Sequence, residues 1–548
     1  MKVTKSIPSI SYLALVILLL FAATSDAKKP SSNTFTFPST GVGVKGEAVL
    51  LAIDDHLLPF RRDLCYYMST PSVRKEPIIT PDRSDPNRLH QISVNFYGTV
   101  LYDQGKFRMW HSSGFFKTPW KRGQPLPEIK SGPMHYAESN DGIHWTKPNL
   151  GQVSINGSTK NNALAFPDPQ CLCPCMIKDE EDPDPKRRYK MTYSTWALVR
   201  GYKNLPVTRT ATSPDGIRWK PGPEMPIDSF MEQSSFYKFN NYFFVNAQTY
   251  ERSDGGAFEA RQGYVRISAD FDNWVQGPAE SFMLPEPEDP QKRGIAGSYD
   301  QVHLGVGAAS FGNVMVGLYG LWHNRPGPEG STGWFSGHGG TWCDLSLVVS
   351  NDGIHFREPV KGYVFISQKD SPVTPVKGKN YPTNLCQGNG IVNVDDKTFI
   401  YHGRWRNAPE PDYYSEIAVA TLPRDRFGAI GLIPPLSRHS ETPEGASEGW
   451  VWSAPIKLPA SGCDIFLNAD CANFMNVEIS DERFNLIPEF SGANSGKVGT
   501  KAGFDCPVTW SKGTLSSLGA KTIRLRVNLK KDKNSDPRLY AIYLKATK

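Results

Sequence analysis

The chain has 548 residues and a net charge of +6, with 61 Lys and Arg against 55 Asp and Glu. The basic residues are scattered with no stripe among them, which argues against a nucleic-acid surface. Aromatics make up 11%, and 48 Gly and 44 Pro punctuate the chain, a composition of short strands and many turns.

Lys2 and Lys5 precede an apolar run over residues 12–23, and Ser25-Asp26-Ala27 places small residues at a cleavage position. Residues 1–27 therefore read as a secretory signal. The run is short for a membrane span. The mature chain is expected to be secreted or periplasmic, with no membrane association once the signal is removed.

Four tight turns then recur: Ser139-Asn-Asp141-Gly142-Ile-His-Trp145, Ser213-Pro-Asp215-Gly216-Ile-Arg-Trp219, Ser268-Ala-Asp270-Phe-Asp-Asn-Trp274 and Ser350-Asn-Asp352-Gly353-Ile-His-Phe356. A degenerate fifth is Thr421-Leu-Pro-Arg-Asp425-Arg-Phe427, and the intervals are 74, 55, 82 and 71 residues. Repetition at a rough period marks a repeat architecture, and Asp-Gly between strands marks a hairpin. Before each turn stand short β-branched or aromatic runs, for instance 98–102, 107–110 and 134–138 in the first repeat. Five four-stranded sheets arranged radially make a five-bladed β-propeller, assigned here to residues 28–436. The first-to-second and third-to-fourth strand turns are short and share one face. Long loops, rich in aromatics, emerge on the other face, where a site is expected.

Residues 437–449 read as a linker and 450–548 as a C-terminal β-sandwich, from alternating strands without the turn motif. The fold class is thus all-β, a five-bladed β-propeller followed by a C-terminal β-sandwich. Cys171-Leu-Cys173-Pro-Cys175 lacks a second cluster at metal spacing, so these read as buried or disulfide-linked strand cysteines. The acidic run 179–184 falls in a turn away from the site and reads as solvated surface. Asp54-Asp55 has no clear place among the blades.

Aligning the first strands brings Asn95, Cys171, Glu232, His303 and Gln387 to near-equivalent positions at the central funnel, with Asp168 and Asp300 a few residues earlier. Glu232 enters an otherwise apolar strand, an inconsistency that points to function. Paired carboxylates are the machinery of glycosidic bond cleavage. Glu232 is expected as the general acid, Asp168 as base or nucleophile, and Asp300 as a carboxylate that tunes the acid or holds the sugar. Asn95, His303, Gln387 and Arg404 are expected to bind hydroxyls, and Trp334, Trp322 and Tyr250 to pack on sugar faces. No metal ligand set is expected and no cofactor; a structural calcium ion in the funnel is the one metal left open. The partner is a carbohydrate substrate.

The runs Gly98-Thr-Val-Leu-Tyr102, Phe107-Arg-Met-Trp110 and Tyr136-Ala-Glu-Ser-Asn-Asp-Gly-Ile-His-Trp145, with Ile523-Arg-Leu-Arg526 and Leu539-Tyr540, resemble exported bacterial proteins of the five-bladed propeller glycoside hydrolase superfamily, which contains families 32, 43 and 117. Propeller plus C-terminal sandwich is most similar to family 32. The resemblance implies an exported glycoside hydrolase acting on a plant or algal oligo- or polysaccharide. The chain lacks the Arg-Asp-Pro triplet and the Glu-Cys pair of family 32, so Glu232 and Asp168 carry over by blade position. The alternative is a non-catalytic, lectin-like propeller.

Overall fold

In the computed structural model the described residues are 41–547, apart from 83–92, 117–128, 132–133, 155–156, 167–170, 200–201, 226–230, 250–261, 276–278, 283–300, 324–341, 407, 409–411 and 436–443. The chain divides into residues 1–37, which hold the expected signal and lie outside the described residues, and 38–548. Among the described residues no helix is long and apolar enough to cross a membrane.

Antiparallel pairing builds four-stranded units in chain order. The first runs Ser93–Asp103, Lys106–Phe116, His135–Ser139 and Trp145–Thr146. The second is Leu172–Lys178, Tyr189–Val199, Tyr202–Ser213 and Lys220–Glu224. The third is Met231–Phe239, Tyr242–Thr249, Gln262–Ser268 and Ala279–Phe282. The fourth is Gln301–Ser310, Met315–His323, Trp342–Ser350 and Val364–Ile366. In the fifth, Asn384–Cys386 and Ile391–Val394 share the inner position, followed by Lys397–Arg406 and Tyr414–Pro423. Its outermost strand is Ser72–Val73, from the opposite end of the chain. Inner strands of successive units touch, and that of the fifth touches that of the first. The units therefore close a propeller, which leaves few open sheet edges.

The recurring turns are built alike. Ser213 Oγ accepts from Gly216 N at 2.9 Å, Asp215 Oδ1 accepts from the amides of Ile217 and Arg218, and Trp219 Nε1 donates to Gly216 O. The same bonds recur at 139–145 and 268–274. Burial pushes the four Asp carboxyls up, but these amide and side-chain bonds outweigh it and hold each below its ordinary value. The turns also lock neighbouring units. Trp110 donates to Gly216 O, Tyr237 to Gly353 O and Tyr401 to Gly142 O.

The fifth turn has a different job. Asp425, at φ 62°, accepts from Asn393 and from Tyr543 at 2.6 Å, and Arg426 reaches Asn468 and Asp470. It joins the propeller to the C-terminal sheets. One of those sheets centres on Thr522–Lys530 and the other on Arg538–Ala546. Alternate residues of Thr522–Lys530 are buried, as a sheet with one face on a core requires.

Two expectations are corrected. Val42–Gly43, Glu47–Leu51, Phe60–Arg62, Leu64–Met68 and Gly428–Leu432 fall in the stretch assigned to the propeller, yet they pair into the C-terminal sheets. The acidic run is an ion-pair network: Asp179 is buried and meets Lys190 at 3.1 Å and Lys238 at 2.8 Å, and Lys190 also meets Asp182. Asp54 and Asp55 pair with Arg357, beside the fourth turn. No disulfide joins any of the nine cysteines.

Candidate active site

Each inner strand breaks register at the same depth. The shifts fall between Asn95 and Thr99, Leu172 and Cys175, Gln233 and Ser235, and His303 and Val306; the fifth inner strand is interrupted outright over 387–390. A bulge bends the strand and re-aims its side chains. Cys173 (φ 50°), Leu304 (φ 62°) and Gly305 (φ 76°) take up the left-handed backbone this needs. At Gly98 a Cβ would stand 2.0 Å from the carbonyl oxygen of Trp110, so only glycine fits.

The interrupted segment fills the axis. Asn389 N donates to Gly98 O and Asn389 O accepts from Val100 N. Its side chain accepts from Phe236 N and donates to Phe236 O and Met176 O. One asparagine of the fifth unit thus ties the first, second and third together at the propeller axis.

Around the axial mouth each unit contributes a residue in or next to its register shift or, in the fifth, at the strand break: Tyr97, Cys173, Glu232, His303 and Cys386. Tyr97 Oη lies 3.3 Å from Cys386 Sγ, and its ring meets His303 edge-on at 6.4 Å. Burial, then the neighbouring Cys386, push the Tyr97 hydroxyl well above its ordinary value. Burial likewise raises the Cys173 thiol, with Cys175 and the Glu232 carboxylate adding to it. Glu232 is held by Gln248, whose Nε2 donates to Glu232 Oε2 and whose Oε1 accepts from Leu304 N at 2.7 Å. The strand alternation explains the pair, since Glu232 and Gln248 face each other across the ladder. An aromatic wall continues from His303: Trp322 at 4.8 Å, Trp405 at 6.3 Å from Trp322, and Tyr413 at 6.2 Å from Trp405.

Near this wall stand polar groups that have no hydrogen-bond partner among the described residues: both amide atoms of Asn384 and Oε1 of Gln387, all buried. Asn384 pairs with Trp405 in the ladder. Buried polar atoms are seldom left so, and a ligand or water is the usual complement.

The sequence-predicted residues sort as follows. Glu232, His303 and Trp322 come together at the mouth. Asp168, Asp300, Tyr250 and Trp334 lie outside the described residues. Three proposed hydroxyl binders are engaged within the protein. Arg404 is fully buried, with Nε on Ser371 Oγ, Nη1 on Lys75 O and Nη2 on Arg74 O; it clamps the ring-closing segment beside Ser72–Val73. Gln387 Nε2 braces the fourth unit's bulge through His303 O and Gly305 O. Asn95 Oδ1 accepts from Ser415, joining the first and fifth units. Of the expected alignment, Asn95 and His303 are the last paired residues before their register shifts, Cys171 and Glu232 stand one residue earlier than that position, and Gln387 lies one residue past the strand that ends at Cys386. Tyr97, Gln248 and Asn389 were not singled out from sequence. The Gly-Asn-Gly run 388–390 was the available signal for the last of them. Among the described residues no cluster of three or more His, Cys, Asp or Glu could hold a metal ion.

No protein-family model matches the chain. An uncharacterised protein of Mycobacterium tuberculosis, found in strains CDC 1551 and H37Rv, is 28% identical over 145 residues, which is 26% of this chain and 38% of that protein's length. Among solved structures, a protein from Parabacteroides distasonis assigned to the glycoside hydrolases is 16% identical, with a TM-score of 0.41, over 64% of this chain and 97% of that one. A β-1,2-mannobiose phosphorylase from Listeria innocua is 11% identical, TM-score 0.40, over 66% and 98%. A family 117 glycoside hydrolase produced by the marine bacterium Zobellia galactanivorans is 12% identical, TM-score 0.35, over 64% and 90%.

Proposed function

We propose that this chain is an exported glycoside hydrolase that cleaves an oligo- or polysaccharide of plant or algal origin at the mouth of its propeller. The observation that carries the reading is Glu232: a carboxylate on an inner strand, fixed by Gln248, which also holds Leu304 next to His303, where the aromatic run to Trp322 and Trp405 begins. Aromatic faces pack on the apolar faces of sugar rings, and the unsatisfied amide of Asn384 suits a polyhydroxylated ligand. Glu232 would protonate the leaving oxygen as general acid. Asp168 would supply the base or nucleophile and Asp300 a third carboxylate, in the two-carboxylate scheme whose spacing sets retention or inversion. The family 32-like assignment and export belong to the same proposal, the latter supported by the apolar leader over residues 12–23.

The test is a hydrolysis screen over diverse plant and algal glycans with Glu232→Gln beside the parent. Loss of the general acid should lower kcat by about 10²–10⁴-fold while the variant still binds substrate. A variant as active as the parent removes Glu232 from the mechanism. Binding without turnover by the parent across the screen establishes the lectin-like alternative instead.

A further inference from the structure

Outside the axial mouth, between the third strand of the fourth unit and the segment leading into the fifth, lies a cleft of about 730 Å³. That size falls within the range of small-molecule sites, roughly 300–1,000 Å³. Trp342, Asp344, Lys369, Lys379, Tyr381 and Arg406 are among the residues that line it. His323 stacks on Trp342 with centroids 4.9 Å apart and planes 19° apart, and His323 Nε2 lies 3.1 Å from Asp344 Oδ2. Trp342 is thus a braced aromatic plate at the border of the cleft.

The cleft is more cationic than acidic. Asp344 is already engaged by His323 and by the amide of Gln368 at 2.6 Å. Arg406 is fixed in place by the carbonyl oxygens of Asp412 and Thr374. Lys379 is held by Asp412, which also accepts from Tyr381. Lys369 is exposed and has no ion-pair partner among the described residues.

The cleft shares strands with the axial mouth. Trp322 faces His303, and the next residue, His323, faces Trp342. Asn384 and Trp405 pair in the ladder, while their neighbours Thr383 and Arg406 line the cleft. Strand alternation thus keeps the two sets of side chains apart on common strands.

We propose that this cleft is a distal glycan subsite for an acidic sugar residue, a uronate or a sulfate ester, whose ring packs on Trp342 and whose anion is met by Lys369 and Arg406. A flat aromatic face suits a pyranose, and cationic side chains favour an anionic substituent through charge-assisted hydrogen bonds. This specificity rests on the glycan-active reading above.

The test is calorimetric titration of the full chain with trigalacturonate, and with maltotriose as the neutral control. Trigalacturonate should bind preferentially, with affinity falling as NaCl rises. Trp342→Ala and the exposed Lys369→Glu should each weaken it by about ten-fold, and Glu232→Gln should leave it unchanged. Equal binding of the two trisaccharides, no binding of trigalacturonate, or parental affinity in Lys369→Glu overturns the proposal. Loss of binding in Glu232→Gln places the anion at the axis and overturns the cleft while sparing the enzyme. Lys369-dependent binding by a protein that cleaves no glycan keeps the cleft and removes the enzyme.

Discussion

Histidine shows at the residue scale how little a side chain's name says about its state. Burial, then the charge of Lys147, depress His111 to about 3, and burial, then Arg404, do the same to His402. His402 sits between Ser371 Oγ at 2.7 Å and the carbonyl of Ile400. Both folded-state values lie below the ordinary 6.5, so the fold favours the neutral rings. The stability this provides is complete above pH 6.5 and is lost as pH falls from there towards 3, at about 1.4 kcal/mol per pH unit for each ring. Urea unfolding between pH 6 and 5 should show a slope of about twice that figure, and His402→Gln should remove about half of it. A slope unchanged by that substitution would rule out His402 as a source. Glu232 was singled out from the sequence as a carboxylate entering a strand, and the structure holds it with Gln248. Arg404 was misread because a cation in a loop-rich region looks available until its donors are traced to Arg74, Lys75 and Ser371.

The element scale explains which strands could be seen in advance. The expected strands coincide with the outer, apolar parts of the observed ones, such as 235–239 within Met231–Phe239. The remainder runs through Glu232, Gln233 and Ser234, with Gln233 and Ser234 fully buried. Past each bulge the strands carry polar residues into the axis, and the alternation that identifies a strand is broken there. Neighbouring units are joined by bonds that no local pattern announces. Lys190, almost wholly buried in the second unit, holds Asp179 and Asp182, and Asp179 in turn holds Lys238 of the third. Burial raises the Asp179 carboxyl, but Lys238 and Lys190 outweigh it and hold it below its ordinary value. Lys190→Met would leave Asp179 with Lys238 and Asp182 with Arg187 at 3.9 Å, so it should lower unfolding free energy by about 1–3 kcal/mol in denaturant titration, less than the loss of a sole buried partner; a loss under about 1 kcal/mol would show the network to be effectively solvated.

For the whole molecule, the two ends of the chain complete each other's folds. Ser72–Val73 closes the fifth unit, and four strands before residue 69 enter the C-terminal sheets. Leu50, Leu58 and Leu64 sit in one core with Val451, Ile465, Val527 and Leu544. A fragment of residues 450–548 should accordingly lack cooperative unfolding and native-like circular dichroism, whereas residues 41–548 should fold. An independently folded fragment would contradict this shared core. The repeated turns and the short runs before them sufficed for the all-β class, because hairpin chemistry is local: Gly and Asp act within a few residues. Which side chains meet at the axis was decided only by tertiary structure. Tyr97, Cys173, Glu232, His303 and Cys386 come from different units, and register shifts of one or two residues in four inner strands, with a break in the fifth, set which residues reach the axis. The long-range pairings that place Asn389 on the axis and the N-terminal strands in the C-terminal sheets leave no periodic trace in the chain.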